Sequence, residues 1–360
     1  MTSALFKERT RRQIIRLCHR GLDARTLRVE VLRALRNVVP IDAAFFATLD
    51  PATLLFTEAL QDEPLQSAAL QFLDNEFLED DVNKFVALAH RPSPISTLVQ
   101  ATGRELEASR RYRDILAPRA LGDELRAVLR TGSTCWGCMC LHRDRGATAF
   151  SAAEARFMAS LAPHIATGLR TALLASQLAA PVAARGPGLL VLADDWSVIA
   201  STPLAQQWLS EVDLDRTAIG ELPPAIYAVA ARLWGLERGH HLDPTKLMPR
   251  VRVRTAAGRW LLVHASRLTG PGAQSQTAIF LEEARPAEIA PLILSAHQLT
   301  SREGEITQLV LQGLSTAEIS DRLCITLNTV QGYLKSIFDK VGVRSRRELV
   351  AHLFHQHYLS

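Results

Sequence analysis

The chain has 360 residues, 48% of them hydrophobic and 22% charged, with a formal net charge of +4. That is an ordinary soluble composition, long enough for two or three domains with cores of their own, and it excludes wholesale disorder. No run approaches the roughly 18 uninterrupted apolar residues of a spanning helix, Arg11, Arg12 and Arg16 stand where a signal peptide would be apolar, and the 5 cysteines make no secreted disulfide scaffold.

The expected setting is therefore the reducing cytoplasm, with no membrane partner. The charge is laid out in blocks. Met1 to Arg36 carries +7, Asn37 to Asn83 has no Lys or Arg and carries −10, and Arg322 to Arg347 carries +5. A mild basic excess suggests an anionic partner without naming one.

The basic N-terminus reads as two amphipathic helices. Leu5, Ile14, Ile15, Leu17 and Cys18 form one stripe, Leu27, Val31, Leu32 and Leu35 a second, and Gly21 is the break. A nucleic-acid patch, a membrane patch and an Arg-rich transit peptide are alternatives. The regular stripes favour helices docked on the next domain with a solvated basic face. Ala43 to Leu49 reads as a buried strand, Asp50-Pro51 as a turn and Leu54 to Thr57 as a returning strand. Leu125 to Leu129 and Thr134 to His142 suggest an antiparallel pair around Thr131-Gly132. Ser151 with Glu154 is a capping box opening a helix to about Ala180, where Pro181 stops it and within which Pro163 is a candidate kink.

Ala183 to Gly188 has linker composition. Beyond it Leu189 to Ala193 reads as a strand, Pro203 to Leu209 as a helix, Val251 to Arg254 with Arg259 to Leu268 as a hairpin, and Thr277 to Glu282 as a strand. Residues 283–294 read as a charged, Pro-containing connector. The remainder is punctuated by three capping boxes, Thr300/Glu303, Ser315/Glu318 and Ser345/Glu348, with Gly313 and Gly342 as left-handed stops and Thr326 as a further N-cap. Four helices follow, over about 301–312, 316–323, 327–341 and 346–356.

Their apolar positions predict the packing. Ile306, Leu309 and Val310 face Ile319 and Leu323, and Val330, Leu334, Ile337, Phe338 and Val341 form one face of the third helix. The opposite face is Asn328, Thr329, Gln331, Gly332, Lys335 and Ser336. Such a surface suits the major groove of B-DNA, with hydrogen-bonding side chains for base edges, a small residue for close approach and a cation for phosphate. The short turn Cys324-Ile325-Thr326, held by a buried Ile325, would fix the crossing angle of a helix-turn-helix.

This segment resembles the LuxR/FixJ-type helix-turn-helix of bacterial transcription regulators. The residues carrying the resemblance include Leu299, Thr300, Arg302, Glu303, Glu305, Leu309, Gly313, Leu314, Ser315, Glu318, Ile319, Leu323, Ile325, Thr329, Val330, Lys335, Ile337, Lys340, Val343, Ser345, Arg346 and Glu348, within about one sixth of the chain. The resemblance implies sequence-specific binding of double-stranded DNA through Asn328, Thr329, Gln331, Gly332, Lys335, Ser336, Lys340, Arg344 and Arg346. It also implies a homodimer supported by the last helix, and RNA polymerase as a further partner. Three positions depart from the pattern. Gln331 stands where Lys or Arg is usual, Tyr333 where His is most common, and Cys324 where Gly is frequent. Gln331 is accordingly expected at a base edge rather than a phosphate.

The first block resembles a GAF-like domain and the second a PAS-like domain, of kinds found upstream of such helices. The expected fold is therefore multidomain: α+β GAF-like (1–180) and PAS-like (186–285) sensor domains, a linker over 286–297, and an all-α four-helix domain over 298–360. A small-molecule effector in the sensor domains is implied, and no residue identifies it. Cys135, Cys138, Cys140 and His142 are spaced like metal ligands. Strand alternation, however, separates Cys135 from the other three, so buried cysteines and no metal are expected. Asp194 and Asp195 resemble the acidic pair of a receiver domain, but the residues around Asp243 do not supply its next strand. His164 only faintly resembles a phosphoacceptor. No P-loop, HExxH or GxSxG motif occurs, so no catalytic residue and no cofactor is expected. The competing reading is a ligand- or protein-binding signalling scaffold with incidental DNA affinity.

Overall fold

The computed structural model describes residues 2–175, 186–212, 222–239, 248–269 and 276–358. The expected stop of a helix at Ala180, most of the linker before Gly186, and the segment around Asp243 lie outside the described residues. The chain forms two compact units, Met1–Ala172 with Arg185–Glu283, and Leu173–Ala184 with Ala284–Ser360.

The first unit opens with α1 (Thr2–Cys18) and α2 (Ala24–Arg36), separated at Gly21 and with Asp23 capping α2 through Thr26 N–H. The second stripe is buried as expected. In the first, Ile14, Leu17 and Cys18 are buried, but Leu5 is 71% exposed. The basic face is not wholly solvated. Arg28 is buried, donates to the Phe46 carbonyl and pairs with Glu58 at 2.5 Å, and Arg36 pairs with Asp62. The +7 and −10 blocks thus meet each other.

The first sheet comprises β1 (Ala43–Leu49), β2 (Phe56–Gln61), β3 (Ile95–Thr97), β4 (Leu121–Thr131) and β5 (Thr134–Asp144) in the order β2-β1-β5-β4-β3. Between them lie α3 (Ala69–Leu78), α4 (Phe85–His90) and the short α5 (Leu98–Ala101), and α6 (Ala152–Ala175) follows behind the Ser151/Glu154 box. The returning strand begins at Phe56, not Leu54, because Leu54 has φ 57° and closes a turn onto the Asp50 carbonyl. A bulge at Trp136, between the Cys135–Arg130 and Gly137–Leu129 pairs, breaks the side-chain alternation. Cys135 therefore joins Cys138 and Cys140 in one core cluster, against the expectation that it faces the other way.

The second sheet comprises β6 (Gly188–Leu192), β7 (Val198–Ser201), β8 (Arg250–Arg254), β9 (Trp260–Leu268) and β10 (Gln276–Glu283), in the order β7-β6-β10-β9-β8. Numbered within each sheet, the two orders are the same, 2-1-5-4-3. Asp194 and Asp195 sit in the turn between antiparallel β6 and β7, which rules out a parallel receiver sheet. Two helices accompany this sheet, α7 (Pro203–Val212) and α8 (Pro224–Glu237). The sequence reading missed α8. It is buried nearly all round, packed against α3 and β9, so no amphipathic period marks it. At Gly235 an added Cβ would sit 2.6 Å from the Phe77 carbonyl oxygen, so only glycine permits this approach to α3. Nearby, buried Asp50 accepts from the Arg252 backbone N–H at 3.0 Å and from its guanidinium at 2.9 and 2.5 Å, joining the two sheets.

The second unit is helical: α9 (Pro286–Ala296), α10 (Ser301–Leu311), α11 (Thr316–Leu323), α12 (Leu327–Val341) and α13 (Arg346–Tyr358). Residues 286–297, expected as a linker, are thus helical except at the end. Pro286 suits the first turn, Glu288 accepts from Arg285 N–H at 2.7 Å, and Ile289, Leu292, Ile293 and Leu294 are buried. α9 packs against α10 and α13. The other four helices lie close to their expected bounds. Ile306, Leu309, Val310 and Ile319 are buried, but α10 and α11 each pack chiefly on α12 rather than on each other, and Leu323 is only half-buried.

Candidate nucleic-acid interface

The geometry of the interface begins at the turn before α12. α11 opens on Ser315, which accepts from Glu318 N–H at 3.3 Å while the Glu318 carboxylate accepts from Ser315 N–H at 2.6 Å. It ends at Cys324, whose φ of 52° provides the left-handed stop that glycine usually fills. Ser320 then secures the turn, its hydroxyl donating to the Ile325 carbonyl at 2.5 Å and its own carbonyl accepting from Ile325 N–H at 3.1 Å. Ile325 is half-buried rather than buried, so hydrogen bonds carry more of the turn than side-chain packing. Thr326 starts α12 by accepting from Thr329 N–H at 3.2 Å.

α12 is two-faced. Val330, Leu334, Ile337 and Val341 are buried, while Asn328, Thr329, Gln331, Gly332 and Lys335 are exposed together near its N-terminal half. Thr329 shares its hydroxyl with Thr326 at 2.8 Å. Lys335 has no ion pair among the described residues, so its charge is available to a ligand.

The remaining expected residues are placed differently. Ser336 donates to Glu303 at 2.6 Å, and Lys340 pairs with the other Glu303 oxygen at 2.6 Å. Burial alone would raise the Glu303 carboxyl, but hydrogen bonds from Lys340, Ser336 and Thr300 hold it down to about 2. Both residues therefore tie α12 to the start of α10. Arg344 is exposed, with its backbone N–H on the Glu348 carboxylate at 2.8 Å. Arg346 is half-buried and donates to the Leu314 carbonyl. One exposed residue escaped the sequence reading. Leu327, the first residue of α12, is 50% exposed. Its spacing from Val330 and Leu334 matches the core stripe, so periodicity gives no warning of it.

Residues 297–353 match the family described as bacterial regulatory proteins, luxR family. Over 55 residues the chain is 36% identical to the spore germination protein GerE of Bacillus subtilis (strain 168), covering 15% of this chain and 74% of GerE. The chain belongs to the luxR family of bacterial regulatory proteins.

This LuxR-family protein is also 37% identical over 65 residues to the transcriptional regulatory protein DesR of Bacillus subtilis (strain 168), covering 18% of this chain but only 33% of DesR. It thus spans about a third of that relative's length. Its helical segment is a LuxR-type DNA-binding regulator domain. Among solved structures, the Vibrio cholera VqmA-ligand-DNA complex is 16% identical, covering 46% of this chain and 80% of VqmA at a TM-score of 0.22. The E. coli DhaR(N)-DhaL complex is 11% identical, covering 79% of this chain and 90% of that chain at a TM-score of 0.24. No helix among the described residues is long and apolar enough to cross a membrane.

The cysteine motif does not assemble as four metal ligands. Among the described residues, Cys140 and His142 come within 4.8 Å of each other and of Glu124, without Cys135 or Cys138. Burial pushes the Cys135 thiol up to about 11 and raises the Cys138 and Cys140 thiols well above their ordinary value.

Proposed function

We propose that this protein is a sequence-specific transcription regulator of the cytoplasm. In this reading α12 enters the major groove, with Asn328, Thr329, Gln331 and Gly332 at base edges and Leu327 against a thymine methyl. Lys335 and Arg344 meet phosphate. Ser336, Lys340 and Arg346 set the pose of α12 and α13, and contact phosphate only with whatever donor capacity Glu303 and the Leu314 carbonyl leave. The observation that carries the reading is the exposed polar strip of α12, lying opposite the buried Val330, Leu334, Ile337 and Val341 and directly after a hydrogen-bonded turn. The protein acts as a homodimer on paired half-sites, with RNA polymerase as a further partner.

We further propose that residues 1–180 and 186–285 are GAF-like and PAS-like sensors whose small-molecule effector modulates the DNA-binding domain of residues 298–360. The shared strand order of the two sheets supports reading them as variants of one sensor architecture.

The test is a gel shift of the full chain on the region upstream of its own gene and on random duplex, across a salt series. Lys335→Ala should weaken both about equally and reduce the salt slope by about 1. Gln331→Ala should weaken cognate binding by roughly 1–3 kcal/mol and leave random binding nearly unchanged. Equal loss on both duplexes would refute the base-edge role of Gln331, and no preference for any duplex by the wild type would favour the scaffold reading.

A further inference from the structure

The first unit contains a small cavity lined by side chains of the first sheet, α3 and α4. Its body is aromatic, formed by Phe45, Phe56, Phe72 and Phe85. Its polar wall contains Arg126, Glu76 and His142. Arg126 and Glu76 are paired at 2.6 Å, and the guanidinium lies 4.6 Å from the centre of the Phe85 ring, so the lining ion pair has no net charge.

His142 stands out on that wall. It is 0% exposed, and neither ring nitrogen has a hydrogen-bond partner among the described residues. The Phe72 ring meets it edge-on, with centroids 6.0 Å apart. A buried polar group without a partner costs stability, so its retention here calls for an explanation. Burial lowers its proton affinity to about 4, which leaves a neutral ring with one donor nitrogen and one acceptor nitrogen.

A metal does not fit this corner. Glu124 is already held by Arg111 at 2.8 Å and Arg126 at 3.1 Å, two cations that would face an incoming one. The Cys140 thiol, raised by burial, resists becoming the thiolate a metal needs.

We infer that this cavity binds a small uncharged molecule with an aromatic or compact apolar body and one hydroxyl or amide group, which pairs with His142. The phenylalanine box takes the body, the neutral imidazole serves a group that both donates and accepts, and the balanced ion pair gives neither an anion nor a cation an advantage. The site's meaning as an effector site rests on the sensor reading above, but its occupancy does not, because binding is measured without DNA.

The probes are benzamide, its anionic analogue benzoate and its cationic analogue benzamidine, titrated calorimetrically into the full chain at neutral pH. Benzamide should bind one per chain, and the charged analogues at least about tenfold more weakly. His142→Phe should weaken benzamide about tenfold, the worth of a hydrogen bond at the upper end of its usual range. The same variant should keep or raise the melting temperature, because it removes an unpartnered polar group, whereas a structural role for His142 would lower it. Ala69→Met, which fills the cavity from α3, should abolish binding. The inference is overturned if benzamide gives no binding at millimolar concentration, if all three probes bind alike, if His142→Phe leaves binding unchanged, or if the purified protein carries stoichiometric zinc. Benzamide that binds without altering the gel shift would count against the sensor reading while leaving the site intact.

Discussion

The two units put their charges to opposite uses. In the first, Arg28, Arg111, Arg126 and Arg252 are buried and meet Glu58, Glu124, Glu76 and Asp50. In the second, Arg322, Lys335, Arg344 and Arg347 are exposed, and Glu303 is the buried carboxylate at the α10–α12 contact. The +7 at the N-terminus is thus partly consumed inside the fold, while the +5 around α12 largely faces solvent. A charge count along a sequence locates a binding surface only where the fold leaves the charges outside.

The strongest way to break this contrast is Glu124→Gln. It strips the carboxylate from between Arg111 and Arg126, and removing one member of a buried pair costs about 3–5 kcal/mol. Urea unfolding of the first unit should show that loss. The pH dependence has a definite sign. Burial would raise the Glu124 carboxyl, but Arg111 and Arg126 hold it down to about 2. Its contribution is present above roughly pH 4.3 and fades as pH falls toward 2. His142, kept neutral by burial down to about 4, adds a loss that begins as pH falls below roughly 6.5, where the unfolded ring takes up its proton. Wild-type melting temperature should therefore decline from about pH 6.5 downward, and Glu124→Gln should remove the lower part of that decline. A flat profile would mean that the buried cluster does not titrate with folding.

Asp50→Ala tests the same principle at the junction of the two sheets. It removes the buried carboxylate that accepts one backbone and two guanidinium hydrogen bonds from buried Arg252, and about 3 kcal/mol of stability should be lost. Gly235→Ala is a purely steric counterpart. A Cβ 2.6 Å from the Phe77 carbonyl forces α8 off α3, at about 1–3 kcal/mol by urea unfolding. If Gly235→Ala is neutral, α8 is less tightly seated than its burial suggests.

The contrast also explains what the sequence could and could not reveal. Helices α10, α11 and α12 were legible because each is short, two-faced and marked by local chemistry: Thr300, Ser315 and Thr326 at the starts, Gly313 and Gly342 at the stops. Helix α8 was not, since Pro224 to Glu237 is apolar on nearly every side and its partner surfaces are distant in sequence. The linker reading of residues 286–297 failed for a related reason. Two prolines suggested a connector, but Pro286 occupies a first turn and Pro291 is accommodated in a helix whose apolar residues are buried. At the interface, polarity and spacing identified the exposed strip of α12. They could not separate Lys335 from Lys340, because the partner that distinguishes them, Glu303, lies 37 residues away in sequence from Lys340.

That pair provides the finest test. Lys340 and Lys335 are cations of one helix in one basic block, and a sequence reading assigns both to phosphate. Lys340 is bound to a Glu303 carboxylate that is 5% exposed, whereas Lys335 has no ion pair among the described residues. Lys340→Met should therefore cost about 1 kcal/mol of stability, a partly exposed pair being worth less than a fully buried one. Ser336 and the Thr300 N–H would still hold the Glu303 carboxylate in place. The salt slope of DNA binding should stay near the wild-type value, because no phosphate contact is lost. Lys335→Ala should do the reverse, with unfolding unchanged within about 0.5 kcal/mol and a slope smaller by about 1. If Lys340→Met instead lowers the slope and leaves unfolding unchanged, DNA must draw Lys340 away from Glu303. The second unit would then use its internal ion pair as a reserve of binding charge, and the division between buried and exposed charge would hold only for the free protein.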